Sequence, residues 1–407
     1  MTIFYTDEQV IQLVSDSDNP EHTWESIRKQ GTPLVDETSI RMTFLFDAGH
    51  ITTTDDVESV HVWINRLTDK ERVEQGFMTN IPNTTFWVRT IEVPPSLRAA
   101  YCFRINAGAH RPPGYNKYPH QHDPHSRSGH LVLEGTRGLS LLQGKGVAAE
   151  SIWQRVDLTR PSRVTTDSVA GMPTALYTPA IPHKDLPLVI LIDADVWFPR
   201  LKLDQVLDYL IVQGHIPACA VLGVGFADPA ERRTTLGAND ELSRTLITTI
   251  PEYAKQQART LGHSIADDAL VIAGQSLGAF TALWTALQHP HDVHAVVASS
   301  PSLWWRPEAG CNPGDLHMLN VPWLVDQILH HDAPADALPP TFMDVGVREG
   351  MSVAHMHGLC LAMEQRAWEH HFDVYDGGHD FAWWREALTV RLGQALRTLP
   401  PANVNYN

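Results

Sequence analysis

Gly274-Gln275-Ser276-Leu277-Gly278 lies between a short apolar run, Asp268-Ala-Leu-Val-Ile-Ala273, and a helical stretch from Ala279 to His289 that stops at Pro290. A serine with glycine two residues before and two after, following a strand and opening a helix, demands a very sharp turn. Bulkier neighbours would clash there. Such a turn lifts the hydroxyl clear of the sheet and sets it at a helix N-terminus, where the dipole favours a developing oxyanion. Ser276 is therefore the candidate nucleophile, and a strand–turn–helix layer must surround it.

From about Ser151 onward the rhythm agrees. Apolar runs at Leu188–Asp193, Ala218–Val224, Leu270–Ala273, Ala295–Ser299, Thr341–Gly346 and Phe372–Tyr375 alternate with helical periodicity. The helical stretches are Leu203–Val212, Asn239–Leu261, Ala279–Leu287, Ser352–Trp368 and Ala382–Leu399. Continuous apolar strands with helices between them indicate a parallel sheet covered on both faces. Before Ser151 the pattern differs. After helical segments at Asp7–Val14 and Pro20–Lys29 come short β-branched and aromatic segments, Ile40–Phe46, Val60–Ile64, Thr85–Ile91 and Ala100–Ile105. These suggest an antiparallel sandwich. Ala107–Leu142 reads as a loop; five histidines fall between His110 and His130, and the His120-x-His122 pair lacks the partners a metal site needs. The expected domains are 1–150 and 151–407, with Gly144-Lys145-Gly146 as linker.

At 407 residues two domains are the default. A net charge of -16 argues against nucleic acid as a partner. The N-terminus shows no basic start followed by an apolar block, and no apolar stretch approaches the ~20 residues of a membrane span. Cys102, Cys219, Cys311 and Cys360 have no paired spacing, as expected of reduced thiols. The expected location is the cytoplasm, with no membrane partner; the oligomeric state is left open.

A serine needs a base, and the base an orienting acid. In a sheet of this type the chain order is serine, acid, histidine. His379, in Asp376-Gly-Gly-His-Asp380 between the last strand and the last helix, is the candidate base. For the acid, Glu349 lies beyond the apolar run Thr341–Gly346 and Asp344 within it; Glu349 is preferred, and a Ser–His dyad stays open. The oxyanion hole should combine the Leu277 amide with one from the loop Leu191-Ile-Asp-Ala-Asp-Val-Trp197, from Ala194 or Asp195.

With Leu191–Trp197, Ala273–Gly278, Ser300-Pro-Ser-Leu-Trp-Trp305, Asp376–Asp380 and Trp383-Trp384-Arg385 in view, the chain resembles the enterochelin (enterobactin) esterase family over nearly its whole length. Gly346-Val-Arg-Glu349 is similar to that family's Gly-x-Arg-Glu segment, which also favours Glu349. The resemblance implies an α/β-hydrolase domain with a predominantly parallel sheet, preceded by an antiparallel β-sandwich. It also implies a serine esterase that cleaves the trilactone of ferric or iron-free catecholate siderophores to dihydroxybenzoyl-serine units. It requires no cofactor and no resident metal, since iron arrives with the substrate. A ferric tris-catecholate is a trianion, so arginines and aromatic faces should line the cleft. Arg232 matches an arginine of a family segment, and Trp197, Trp304 and Trp305 are the aromatic candidates. Thr235, Ala194 and Ala279 depart from the family pattern and leave the exact substrate open. The rival readings are another carboxylic-ester hydrolase or acyltransferase, and a non-catalytic siderophore- or glycan-binding protein.

Overall fold

A computed structural model of the chain describes residues 3–50, 57–107, 119–134, 137–147, 152–158, 163–308, 310–332 and 338–404. It divides into two compact units. The first comprises Met1–Glu150 and Asp376–Trp383, the second Ser151–Tyr375 and Trp384–Asn407.

In the first unit the strands Arg41–Asp47 and Phe86–Glu92 pair antiparallel in a four-stranded sheet. Val57–Ile64 and Arg98–Ala107 pair antiparallel in a five-stranded one. Alternation along each strand builds the core. Met42, Phe44, Phe46, Trp87 and Ile91 of one sheet meet Val60, Val62, Ile64, Tyr101 and Phe103 of the other. Leu45, Phe86 and Val88 point the opposite way, onto Val10, Val14, Trp24 and Ile27 of the two leading helices. The four-stranded sheet is thus buried on both faces, which is why Met42–Phe46 is buried throughout.

Two expectations are corrected here. Ala107–Leu142 is not all loop, since His130–Glu134 and Arg137–Gln143 form an antiparallel pair whose second strand joins Arg98–Tyr101. The apolar alternation of Leu131, Leu133, Leu139 and Leu141 carried that signal, masked by the polar, histidine-rich segment before it. Residues 108–118 of that stretch, His110 included, lie outside the described residues. Nor is Gly144-Lys145-Gly146 a free linker. The Gly144 amide donates to the Leu97 carbonyl at 2.8 Å and the Gly146 amide to the Pro95 carbonyl at 2.9 Å.

Among the described residues the main sheet of the second unit has eight strands: β1 Thr165–Val169, β2 Met172–Tyr177, β3 Leu186–Ile192, β4 Ala220–Val224, β5 Ile265–Gln275, β6 Ala295–Ser299, β7 Thr341–Gly346 and β8 His370–Tyr375. Their order is β1-β2-β4-β3-β5-β6-β7-β8, parallel from β4 to β8. Hairpin β1–β2 is antiparallel and was not legible. Its first strand, Thr-Thr-Asp-Ser-Val, is an exposed polar edge, and its turn at Ala170 and Gly171 has positive φ at both positions, as a tight hairpin requires. β3 and β4 are buried along their whole lengths. The sequence-predicted helix Asn239–Leu261 is two helices, Asp240–Ile247 and Thr249–Thr260. Among the described residues no helix is long and apolar enough to cross a membrane.

Candidate active site

Ser276 follows the last residue of β5 and caps the helix Leu277–Gln288, with φ 56° and ψ −122°. A non-glycine residue at such a φ is strained, and strain of this kind is maintained by its surroundings. Here the surroundings are two glycines. A Cβ on Gly274 would sit 2.6 Å from the Gly278 carbonyl carbon, and one on Gly278 would meet Ile192 Cγ2 at 3.0 Å. The Ser276 amide donates to the Ser299 carbonyl at 2.9 Å and tethers the turn to β6. Ser276 is half-buried, and its Oγ lies 3.2 Å from Ser302 Oγ. The Ser302 amide donates back to the Ser276 carbonyl at 3.0 Å. The contact of Ser302 with Ser276 spans 26 residues and leaves no periodic trace in the sequence.

Glu349 lies in the turn after β7, at the same strand ends as Ser276 in this parallel sheet. It is buried, and its Oε1 accepts from the Gly346 amide at 2.9 Å and from Ser300 Oγ at 2.5 Å. Ser300 Oγ in turn accepts from Trp384 Nε1 at 3.0 Å. The carboxylate is thus fixed by a three-member relay. Asp344 has a different environment. It is fully buried within β7, and Arg391 Nε donates to its Oδ2 at 3.3 Å. Arg391 also donates to the Met343 carbonyl and, at 2.7 Å, to Asp373. Burial pushes the Asp344 carboxyl up to about 7, against the pull of Arg391.

His379 is exposed, in the segment that joins β8 to the helix Phe381–Arg397, and that segment belongs to the first unit. The Asp376 carbonyl accepts from the Arg98 amide at 3.0 Å, and Asp376 Oδ2 from Ser96 Oγ at 2.6 Å. Asp380 Oδ2 accepts from the Ala100 amide at 2.5 Å, while its Oδ1 accepts from Ala382 at 2.9 Å and opens the last helix. The glycines follow from this crowding. A Cβ on Gly377 would meet Trp383 Cδ1 at 2.4 Å, and one on Gly378 the Asn65 Oδ1 at 2.1 Å.

The expected oxyanion donors lie at strand ends. Leu277 is the first residue of its helix, and Ala194 and Asp195 open the short helix Ala194–Trp197 directly after β3. Amides in a first helical turn have no partner within the helix. Asp193 caps that turn in the left-handed region, φ 72°. The Ala194 methyl faces β4, where a Cβ on Gly223 would approach it to 2.7 Å. Burial raises the Asp193 carboxyl, opposed by Arg232.

The expected substrate contacts have different surroundings. Trp197 is 1% exposed, with Nε1 donating to Gln275 Oε1 at 3.1 Å; it is an interior residue. Trp305 packs at 4.9 Å from Phe280 and 5.6 Å from Trp323, within an aromatic cluster. Trp304 is half-buried and carries the Arg233 guanidinium 5.6 Å from its ring centroid. Arg232 is engaged by Asp193 through both nitrogens of its fork, Nε at 2.5 Å and Nη2 at 2.8 Å. His120 and His122 belong to no cluster of three or more ligands suited to a metal ion, among the described residues.

The model of the putative esterase family matches residues 170–395, and that of the enterochelin esterase N-terminal domain matches residues 41–181. The iron(III) salmochelin esterase of Escherichia coli O6:H1 is 30% identical over 392 residues, 91% of this chain and 92% of the relative. The chain belongs to the enterochelin esterase family. The iron(III) enterobactin esterase of Dickeya dadantii is 24% identical, with 92% and 93% of the two chains covered. The enterobactin esterase of Shigella flexneri, crystallised in the presence of enterobactin, superposes with a TM-score of 0.73 at 20% identity, over 88% of this chain and 94% of the other. That likeness establishes for this family member an α/β-hydrolase fold that follows an antiparallel sandwich along the chain, as the sequence led one to expect.

Proposed function

We propose that this enterochelin esterase family member is a serine esterase that hydrolyses the trilactone ester bonds of catecholate siderophores in the cytoplasm. The observation that carries the proposal is the strained Ser276 turn, at the same strand ends as the first-turn amides of the helices that follow β3 and β5. The named activity of relatives that match nine-tenths of the chain supplies the substrate class.

In this reading His379 removes the Ser276 proton as Oγ attacks a lactone carbonyl. The amides of Leu277 and of Ala194 or Asp195 hold the tetrahedral oxyanion. The C–O bond to the serine alkoxide of the substrate breaks, and His379 returns the proton to that alkoxide. Water, deprotonated by His379, then attacks the acyl-enzyme; the released acid is one ester bond shorter and Ser276 regains its proton. Glu349, held by Gly346 and Ser300, orients the histidine. Ferric iron enters as part of the substrate and leaves with the fragments.

Chromatography of ferric enterobactin digests tests the assignment. The wild type should release linear trimer, dimer and monomer, and Ser276→Ala should lose on the order of 10⁴-fold or more in kcat. Intact trilactone beside hydrolysis of a p-nitrophenyl ester would retain the machinery and reject the substrate. Inertness of the wild type on both would favour a binding protein.

A further inference from the structure

Arg232 and Arg233 are neighbours on the helix Pro229–Thr235. Successive helical residues point about 100° apart, and the two guanidinium groups end in different surroundings. Arg232 gives both fork nitrogens to Asp193, whose second oxygen also accepts from Gln275 Nε2; Gln275 is held in turn by Trp197 Nε1. Gln275 is the residue before Ser276, and Asp193 is the residue before Ala194. The network therefore ties the nucleophile's strand to the turn that carries the second oxyanion amide. Because Asp193 sits in the left-handed region, its carboxylate anchor sets where the Ala194 and Asp195 amides point. A fork already spent on a buried carboxylate is not available to a substrate, and a buried carboxylate stripped of its cation is costly.

Arg233 is exposed, stacks on Trp304 and donates to the Cys311 carbonyl at 2.9 Å. Trp304 follows by two residues Ser302, whose hydroxyl touches that of Ser276. An exposed cation over an aromatic face, so close along the chain to the nucleophile's neighbour, suits a planar anionic ring.

We propose that the two arginines divide the work: Arg232 is a positioning residue that fixes the oxyanion turn through Asp193, and Arg233 with Trp304 forms the subsite that meets the anionic catecholate. This rests on the siderophore-esterase reading above.

Steady-state kinetics on two probes, uncharged p-nitrophenyl acetate and trianionic ferric enterobactin, tests both halves. For Arg232→Gln, kcat should fall about 10²-fold on both probes, the loss of one oxyanion donor, with KM little changed. Arg232→Lys should be intermediate, since an ammonium restores charge but not the fork; it also carries the measurement if the glutamine variant unfolds. For Arg233→Gln, the ratio of kcat/KM on ferric enterobactin to that on p-nitrophenyl acetate should fall about tenfold, through KM, and the drop should shrink in high salt. A rise in KM confined to the anion in the Arg232 variants would make Arg232 the substrate's ligand and overturn the first half. An unchanged ratio in Arg233→Gln would overturn the second. If the wild type cleaves p-nitrophenyl acetate but not ferric enterobactin, the siderophore reading fails with its subsite, while the Arg232 arm is still decided on the neutral ester.

Discussion

The serine turn and the histidine segment reach sharp, glycine-dependent geometry by opposite means. Around Ser276 the tightest crowding is local, although Gly278 also meets Ile192. Gly274 is pressed by the backbone of Gly278 and Ala279, a few residues on. Around His379 part of it comes from far away: a Cβ on Gly378 would meet Asn65, and Asp376 and Asp380 are bonded to Ser96 and Ala100, 280 positions earlier in the chain. One motif records a turn's own stereochemistry; the other records the surface of another strand. Glycines that look alike in sequence therefore answer to different neighbours, and they should fail differently when replaced.

Gly274→Ala is expected to do the greater damage. Its methyl would meet backbone atoms that cannot turn aside. Overpacking of that kind costs about 1–3 kcal/mol or more, and p-nitrophenyl acetate turnover should drop at least about 10²-fold as the nucleophile shifts. A fully active alanine variant would break the comparison.

Asp380→Ala should be milder. It leaves the Ala100 and Ala382 amides without their carboxylate, a loss of about 1–3 kcal/mol in denaturant unfolding. With His379 as the base, kcat should fall about tenfold while the serine still reacts with a fluorophosphonate. A loss of stability with kcat intact would separate the segment's anchoring from catalysis.

The smallest effect concerns Asp344. Its folded value is raised from 3.8 to about 7, with Arg391 lowering it and Glu349 raising it. Asp373 shares the same arginine. A raised carboxyl binds a proton in the native state that the unfolded chain has already released, so its contribution to stability falls as pH rises from about 4 to 7. Asp344→Asn should flatten the decline of Tm over that window, and it should affect kcat far less than Glu349→Gln. An equal kcat loss in both variants would return Asp344 to the candidate acids.

The fold was largely legible because the inner strands β3 and β4 are apolar along their whole lengths and the other inner strands carry apolar runs. What escaped was polar or distant. Strand β1 is an exposed edge with almost no hydrophobic signal. The pair His130–Glu134 and Arg137–Gln143 follows a histidine-rich stretch that reads as loop. At the site, Ser276, Glu349 and His379 stand out as candidates in the sequence because each lies shortly after the end of a strand. Arg232 could be named too, but not its engagement: its partner Asp193 is 39 residues away and is defined by a left-handed backbone that sequence does not display. Trp197 and Trp304 look equivalent as residues. Only packing puts one in the interior and the other beneath an arginine.

The four cysteines carry a practical consequence. Cys102, Cys219 and Cys360 are buried, and burial pushes the first two thiols up to about 12 and the third to about 11. Cys311 is half-buried, and its carbonyl holds Arg233. Alkylating reagents act on thiolates that solvent can reach, so the native chain offers a ready attachment point for a fluorophore beside the guanidinium assigned to substrate. A dye placed there would report ligand arrival in the unmutated protein, separately from any turnover.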